Sequence, residues 1–193
     1  CQEYRGRVFM NNIHGRRVNM DVLKRMGSGY TAKHAPDVMR AADPWFVGVS
    51  LAYGPDGGVF VSDFSDTGEC HHRVNTRKHT GRIYKITYGK PKPWRGDINK
   101  LKNTELAALQ LHDNDWFVRH ARRVLQERLL DAHKAWSVLT TVTLEKSQNA
   151  WRARRKNLFG EVDATLKQQL ADHQMISKRL RALWALYVTD GIK

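Results

Sequence analysis

The chain has 193 residues, room for one ordinary domain or two small ones, and 41% of them are hydrophobic, which excludes wholesale disorder. No apolar run approaches the ~18–20 residues that a membrane-spanning helix needs. Lysine and arginine number 33 against 19 aspartate and glutamate, a formal net charge of +14 that suits an anionic partner.

The first predicted strand covers residues 4–10. Asn11-Asn12-Ile13-His14-Gly15-Arg16-Arg17 follows as a polar turn whose Asn and Gly tolerate left-handed backbone angles. Arg17 to Lys24 reads as the returning strand. Met26 to Ala42 contains Gly27, Gly29 and Pro36 without a sustained period, and is expected to be a long connection with a short helical turn near Asp37–Arg40. Val47, Val49 and Leu51 then share one face of a strand. Gly54-Pro55-Asp56-Gly57-Gly58 is turn chemistry, because Pro presets one angle and Gly supplies positive φ. Val59 to Phe64 returns, a polar loop occupies 65–80, and Arg82 to Tyr88 alternates as the last strand.

Lys90-Pro91-Lys92-Pro93-Trp94-Arg95-Gly96 ends the strand pattern, and from Asn103 the period is helical. Leu106 to Leu111 predicts a first short helix. Asn114 or Asp115 caps a second, with Phe117, Val118, Ala121, Val124, Leu125 and Leu129 on its apolar face. Ala132, Ala135, Leu139 and Val142 predict a third. Residues 151–157 are strongly basic and read either as its continuation or as a loop. Val162, Leu166 and Leu170 mark another helix, and Ile176, Leu180, Leu183 and Tyr187 mark the last. Two similar helices about 60 residues apart exceed the ~40–47 of an ideal helical repeat, so residues 145–157 would be an insertion. Trp116, Trp136 and Trp184 are expected to pack in the core.

The chain opens Cys1-Gln2-Glu3 with no start methionine or signal peptide, and its first strand reads like the middle of a sheet, so a fragment of a longer protein is expected. Cys1 and Cys70 do not make a disulfide framework; in an exported protein they pair with each other or with partners elsewhere. No Cys-x-x-Cys-His occurs, so no covalent c-type haem attaches to this segment. The basic residues are spread along the chain, with clusters at Arg122-Arg123 and Arg152 to Lys156, and no zinc-finger, RNP or helix-turn-helix pattern accompanies them. A solvated basic face is favoured over a nucleic-acid site.

Several segments together resemble one family. They are residues 11–15 (Asn-Asn-Ile-His-Gly), 59–64 (Val-Phe-Val-Ser-Asp-Phe), 66–71 (Asp-Thr-Gly-Glu-Cys-His), 81–85 (Gly-Arg-Ile-Tyr-Lys), 111–116 (Leu-His-Asp-Asn-Asp-Trp) and 179–184 (Arg-Leu-Arg-Ala-Leu-Trp). The family is that of the planctomycete and verrucomicrobial membrane-bound dehydrogenase-like, or haem-binding-domain, proteins. The resemblance implies a mixed, two-domain chain. Residues 1–90 would be the closing blades of an incomplete antiparallel β-propeller similar to the glucose/sorbosone dehydrogenases, 91–96 a linker, and 97–193 an α-helical HEAT-like solenoid. It further implies an exported, periplasmic or membrane-associated protein with pyrroloquinoline quinone and often calcium. A sugar or alcohol would lose a hydride to the quinone, and a c-type cytochrome domain outside this chain would take the electrons. A propeller site draws loops from several blades, so this segment alone is expected to be inactive. The competing expectation is a non-catalytic propeller and solenoid that bind a polyanion or a protein.

The first candidate cluster is His14 with Arg16, Arg17 and Asn12. A carboxylate-bearing quinone needs cationic donors, which Arg16 and Arg17 offer as bidentate forks with Asn12 beside them, and His14 is placed to act as general base. The alternative is a polar turn with exposed arginines. The second candidate is Asp63 and Asp66, near Glu69, Cys70, His71 and His72, whose ligand density would suit a metal ion although the spacing fits no EF-hand or zinc motif. The alternative for Asp63 is a turn cap. Asp115 and Arg119 read as a tie between neighbouring helices.

Overall fold

The computed structural model describes residues 2–65, 77–139 and 144–192. They form two three-stranded antiparallel sheets followed by four helices. The chain divides into two compact units, Cys1–Pro93 and Trp94–Lys193. The class is mixed, and the described residues form neither a closed propeller nor an extended solenoid.

In the first sheet the strands β1 (Arg7–Asn12), β2 (Arg17–Met26) and β3 (Gly29–Arg40) pair in chain order. The expected connection at 26–42, with its helical turn, is therefore a strand. Gly27, at φ +58°, sits in a two-residue hairpin loop between the paired residues Met26 and Gly29, so its glycine signals a tight turn. Pro36 lies on an outer strand where the register shifts between Val18 and Met20, and a bulge on an edge tolerates a residue without an N–H.

The second sheet runs β4 (Gly48–Tyr53), β5 (Val59–Asp63) and β6 (Ile83–Ile86), again in chain order. The Gly54–Gly58 loop closes β4 on β5: Gly54 N–H donates to the Gly58 carbonyl at 2.8 Å, and Gly57 adopts φ +79°. Val18, Phe46 and Val61 are the fully buried centre of this unit, with Leu51, Tyr84 and Ile86 packed around them.

The helical unit contains α1 (Asn103–Ala108), α2 (Asp115–Leu139), α3 (Leu144–Asp172) and α4 (Ile176–Val188). The apolar stripe of α2 is as expected, with Val118, Ala121, Val124 and Leu125 buried. No third helix begins at Ala132, since 25 residues without Gly or Pro continue α2 to Leu139. Val142 lies outside the described residues. The basic stretch 151–157 and the Val162–Leu170 pattern belong to one helix, α3. Its buried positions Arg155, Phe159, Val162, Leu166 and Gln169 recur at helical spacing.

Helix α4 enters the core through Ala182, Ala185 and Leu186. Of the expected stripe, Ile176, Leu180 and Tyr187 face outward and Leu183 is half-buried; Trp184 is exposed too and is not a core residue. Trp116 packs against the core, as expected.

Candidate functional site

The β1–β2 turn presents the first candidate cluster. Residues 13–16 link Asn12 to its register partner Arg17, and Arg16 takes φ +51°. Asn12 Oδ1 accepts the Gly15 N–H at 2.7 Å, so this oxygen is committed to shaping the turn. A Cβ on Gly15 would lie 2.8 Å from Asn12 Oδ1 and 2.8 Å from Arg17 Nε, so a larger residue there would displace these two side chains. His14 and Arg16 are exposed at the tip, and Arg17 is partly buried.

Arg17 reaches across the sheet, with Nη1 3.5 Å from Asp37 Oδ2. Its Nε is buried and has no hydrogen-bond acceptor. Arg17, Asn19 and Asp21 alternate along β2 and so share one face. Asn19 Nδ2 donates to Asp37 Oδ1 at 2.8 Å. His34 on β3 lies between two carboxylates, with Nδ1 3.2 Å from Asp21 Oδ1 and Nε2 3.4 Å from Asp37 Oδ1. A neutral imidazole donates to one of them at a time, and only the imidazolium donates to both. Arg17–Asp37–His34–Asp21 is thus a continuous polar row behind the turn. Sequence reading missed its β3 half because residues 26–42 read as a connection. The alternation of His34 with Ala32 and Pro36 was the available signal.

With the exposed Arg16 beside Arg17, the donor set of the turn is cationic, a chemistry that suits a carboxylate. The expected metal pair is different. Asp63 ends β5 and is buried, and its Oδ1 accepts the Val47 N–H at 3.0 Å and the Ser65 N–H at 2.9 Å. That oxygen ties two loops together, the turn-capping role that was the alternative for Asp63. Asp66, together with Glu69, Cys70, His71 and His72, lies outside the described residues, and no group of three potential metal ligands comes together among the described ones. No described helix is long and apolar enough to cross a membrane.

Of the helical candidates, Asp115 opens α2 and its Oδ1 lies 3.0 Å from Arg181 Nη2 of α4, a tie between helices. Inside the basic stretch, Arg155 is buried rather than solvated. Its Nη1 and Nη2 grip the Asp163 carboxylate at 2.7 and 2.8 Å, while Nε and Nη2 donate to the Thr189 carbonyl at 2.9 and 2.6 Å. No family model matches the chain, and neither a curated protein nor a solved structure is significantly similar to it.

Proposed function

We propose that this chain is part of an exported, quinone-dependent sugar or alcohol dehydrogenase-like protein. Residues 1–90 would supply closing blades of a β-propeller and 97–193 the first helices of a HEAT-like array. The six resembling segments support this reading. So do the two chain-order antiparallel sheets, a meander arrangement from which blades are built. The observation that carries it is the β1–β2 turn, where Arg17 Nε is buried without an acceptor beside the exposed His14 and Arg16.

Pyrroloquinoline quinone, when bound, would supply the electron-accepting chemistry. The residues of this chain would hold and orient it. Arg16 and Arg17 neutralise its carboxylates, and Asp37 fixes Arg17 from behind. His14 stands free at the turn tip to take the proton of a substrate hydroxyl. Calcium would need ligands beyond Asp63, whose Oδ1 is engaged with backbone.

Titration of pyrroloquinoline quinone into the full-length protein tests the assignment, with His14→Ala/Arg16→Ala and Arg17→Gln variants alongside. Saturable binding that both variants weaken by at least about tenfold is the expected result, the scale of one lost charge-assisted contact. Absence of quinone binding to the unaltered protein would overturn the dehydrogenase reading and leave a non-catalytic binding role.

A further inference from the structure

Helix α4 has two apolar faces. Ala182, Ala185 and Leu186 enter the core. Roughly opposite, Ile176, Leu180, Trp184 and Tyr187 fall within an arc of about 80° at 100° per residue. Their exposures are 72%, 41%, 51% and 75%. Four large side chains at i, i+4, i+8 and i+11 form a continuous seam of the kind that receives another helix.

One edge of this seam is cationic. The Arg122 guanidinium stands 5.3 Å from the centroid of the Trp184 ring, and its Nη1 is buried with no hydrogen-bond acceptor. Arg119 and Arg181 press on it as like charges, with Asp115 as the opposing carboxylate. Arg181 is itself committed, with Nη2 on Asp115 and Nη1 donating to the His112 carbonyl at 3.1 Å. Burial lowers the Arg122 pKa, with Asp115 opposing the shift and Arg119 and Arg181 adding to it, so its charge is only partly compensated where it stands. A second anion beside Trp184 would supply it.

Independently of the quinone reading, we propose that the outer face of α4 binds an acidic amphipathic helix of a partner protein. The apolar residues of that helix would cover Ile176, Leu180, Trp184 and Tyr187, and one of its carboxylates would pair with the partly exposed Arg122 guanidinium. A second copy of this chain is disfavoured, because at +14 it would bring the same arginines against their like. Single-stranded nucleic acid is disfavoured because two of the four seam residues are aliphatic and offer no stacking surface.

The test uses the whole chain and a labelled designed helix of about 18 residues, five turns long, with leucines on one face and glutamates flanking them. Matched peptides carry glutamine or lysine at the flanks, and an oligo-uridylate serves as the nucleic-acid probe. The glutamate peptide is expected to bind. Leu180→Ser/Trp184→Ser should weaken it by at least about tenfold, as for an anchor residue. Arg122→Gln should do the same, with unchanged far-UV circular dichroism in both variants. Arg122→Glu should reverse the preference, binding the lysine peptide more tightly than the glutamate one. Equal binding of the three peptides, no binding, or no reversal in Arg122→Glu would overturn the proposal. So would oligo-uridylate binding, or self-association, that alone depends on Trp184.

Discussion

Replacing Arg155 by methionine should cost the helical unit more than any other single change on its surface or in its basic stretch. Arg155 is 8% exposed and makes four hydrogen bonds, two to Asp163 and two to the Thr189 carbonyl. Thr189 is fully buried and the Asp163 side chain is 15% exposed, so neither acceptor regains full hydration when the guanidinium leaves. Breaking a buried pair from one side costs about 3–5 kcal/mol, and the residual solvent access of Asp163 places the expected loss near the lower end. For a domain of this size that is a fall in Tm of roughly 12–24 °C, at ~4–8 °C per kcal/mol. The double variant Arg155→Met/Asp163→Leu should recover part of the loss, because the orphaned carboxylate goes with its partner while the buried Thr189 carbonyl stays unpaired. Thermal and urea unfolding of the whole chain, followed by helical circular dichroism, measures both. A loss below about 1 kcal/mol for the single variant, or strict additivity in the double, would refute the reasoning.

Three further outcomes follow from the loops. Lys85 and the Gly58 N–H hold the Asp56 carboxyl below its usual pKa, so its stabilising effect is present above the unfolded value of about 3.9 and is lost as pH falls through the lower folded value. Hydrogen exchange at the Gly58 amide should quicken over that acidic window and lose this pH dependence in Asp56→Asn. Gly57→Ala meets no neighbour but must hold φ +79°, so denaturant titration should show a cost of about 1–2 kcal/mol from backbone strain alone. In Gly96→Ala the new Cβ would lie 2.6 Å from the Trp94 ring, which is edge-on to Trp116 and Phe117 at 5.3 Å each. Near-UV circular dichroism should fall while the helical signal stays, with a loss of about 1–3 kcal/mol from overpacking.

The elements most legible in the sequence were those whose signal is local. The Gly54–Gly58 turn, the alternation of β6 and the stripe of α2 all depend on neighbours within one or two turns of chain. The misreadings share a different cause. Gly27 and Pro36 each have two meanings, and only the pairing partner decides between a connection and a hairpin with an edge bulge. Arg155 looks like any other residue of a basic run until Thr189 and Asp163 arrive from 34 and 8 residues away. On α4 the helical period was right and the face was wrong, since periodicity cannot choose between two apolar stripes. The small Ala182 and Ala185 lie closer to the core than the larger Trp184. The β1–β2 turn was visible as a cationic cluster, but Asp37 and His34 reach it only through sheet register.

The two units should also differ in how they melt. Among the described residues, the sheet unit buries Val18, Met20, Phe46, Val47 and Val61. The helical unit buries thirteen apolar side chains, including Leu106, Leu125, Phe159, Leu166 and Leu186. At about 1.5–3 kcal/mol for each large side chain, the first core has much less to set against chain entropy. Its sheets also carry exposed apolar residues on their strands, such as Phe9, Leu23, Tyr30 and Ile83, which add less to its core than buried ones would. Heating the whole chain should therefore give two transitions, strand signal first and helix signal second. Trp45 in the sheet unit should become solvated before Trp116 in the helical one, which single-tryptophan variants would report by fluorescence. A single cooperative transition, coincident by both probes, would sink this account, since it would mean that the small sheet core is not the weaker of the two.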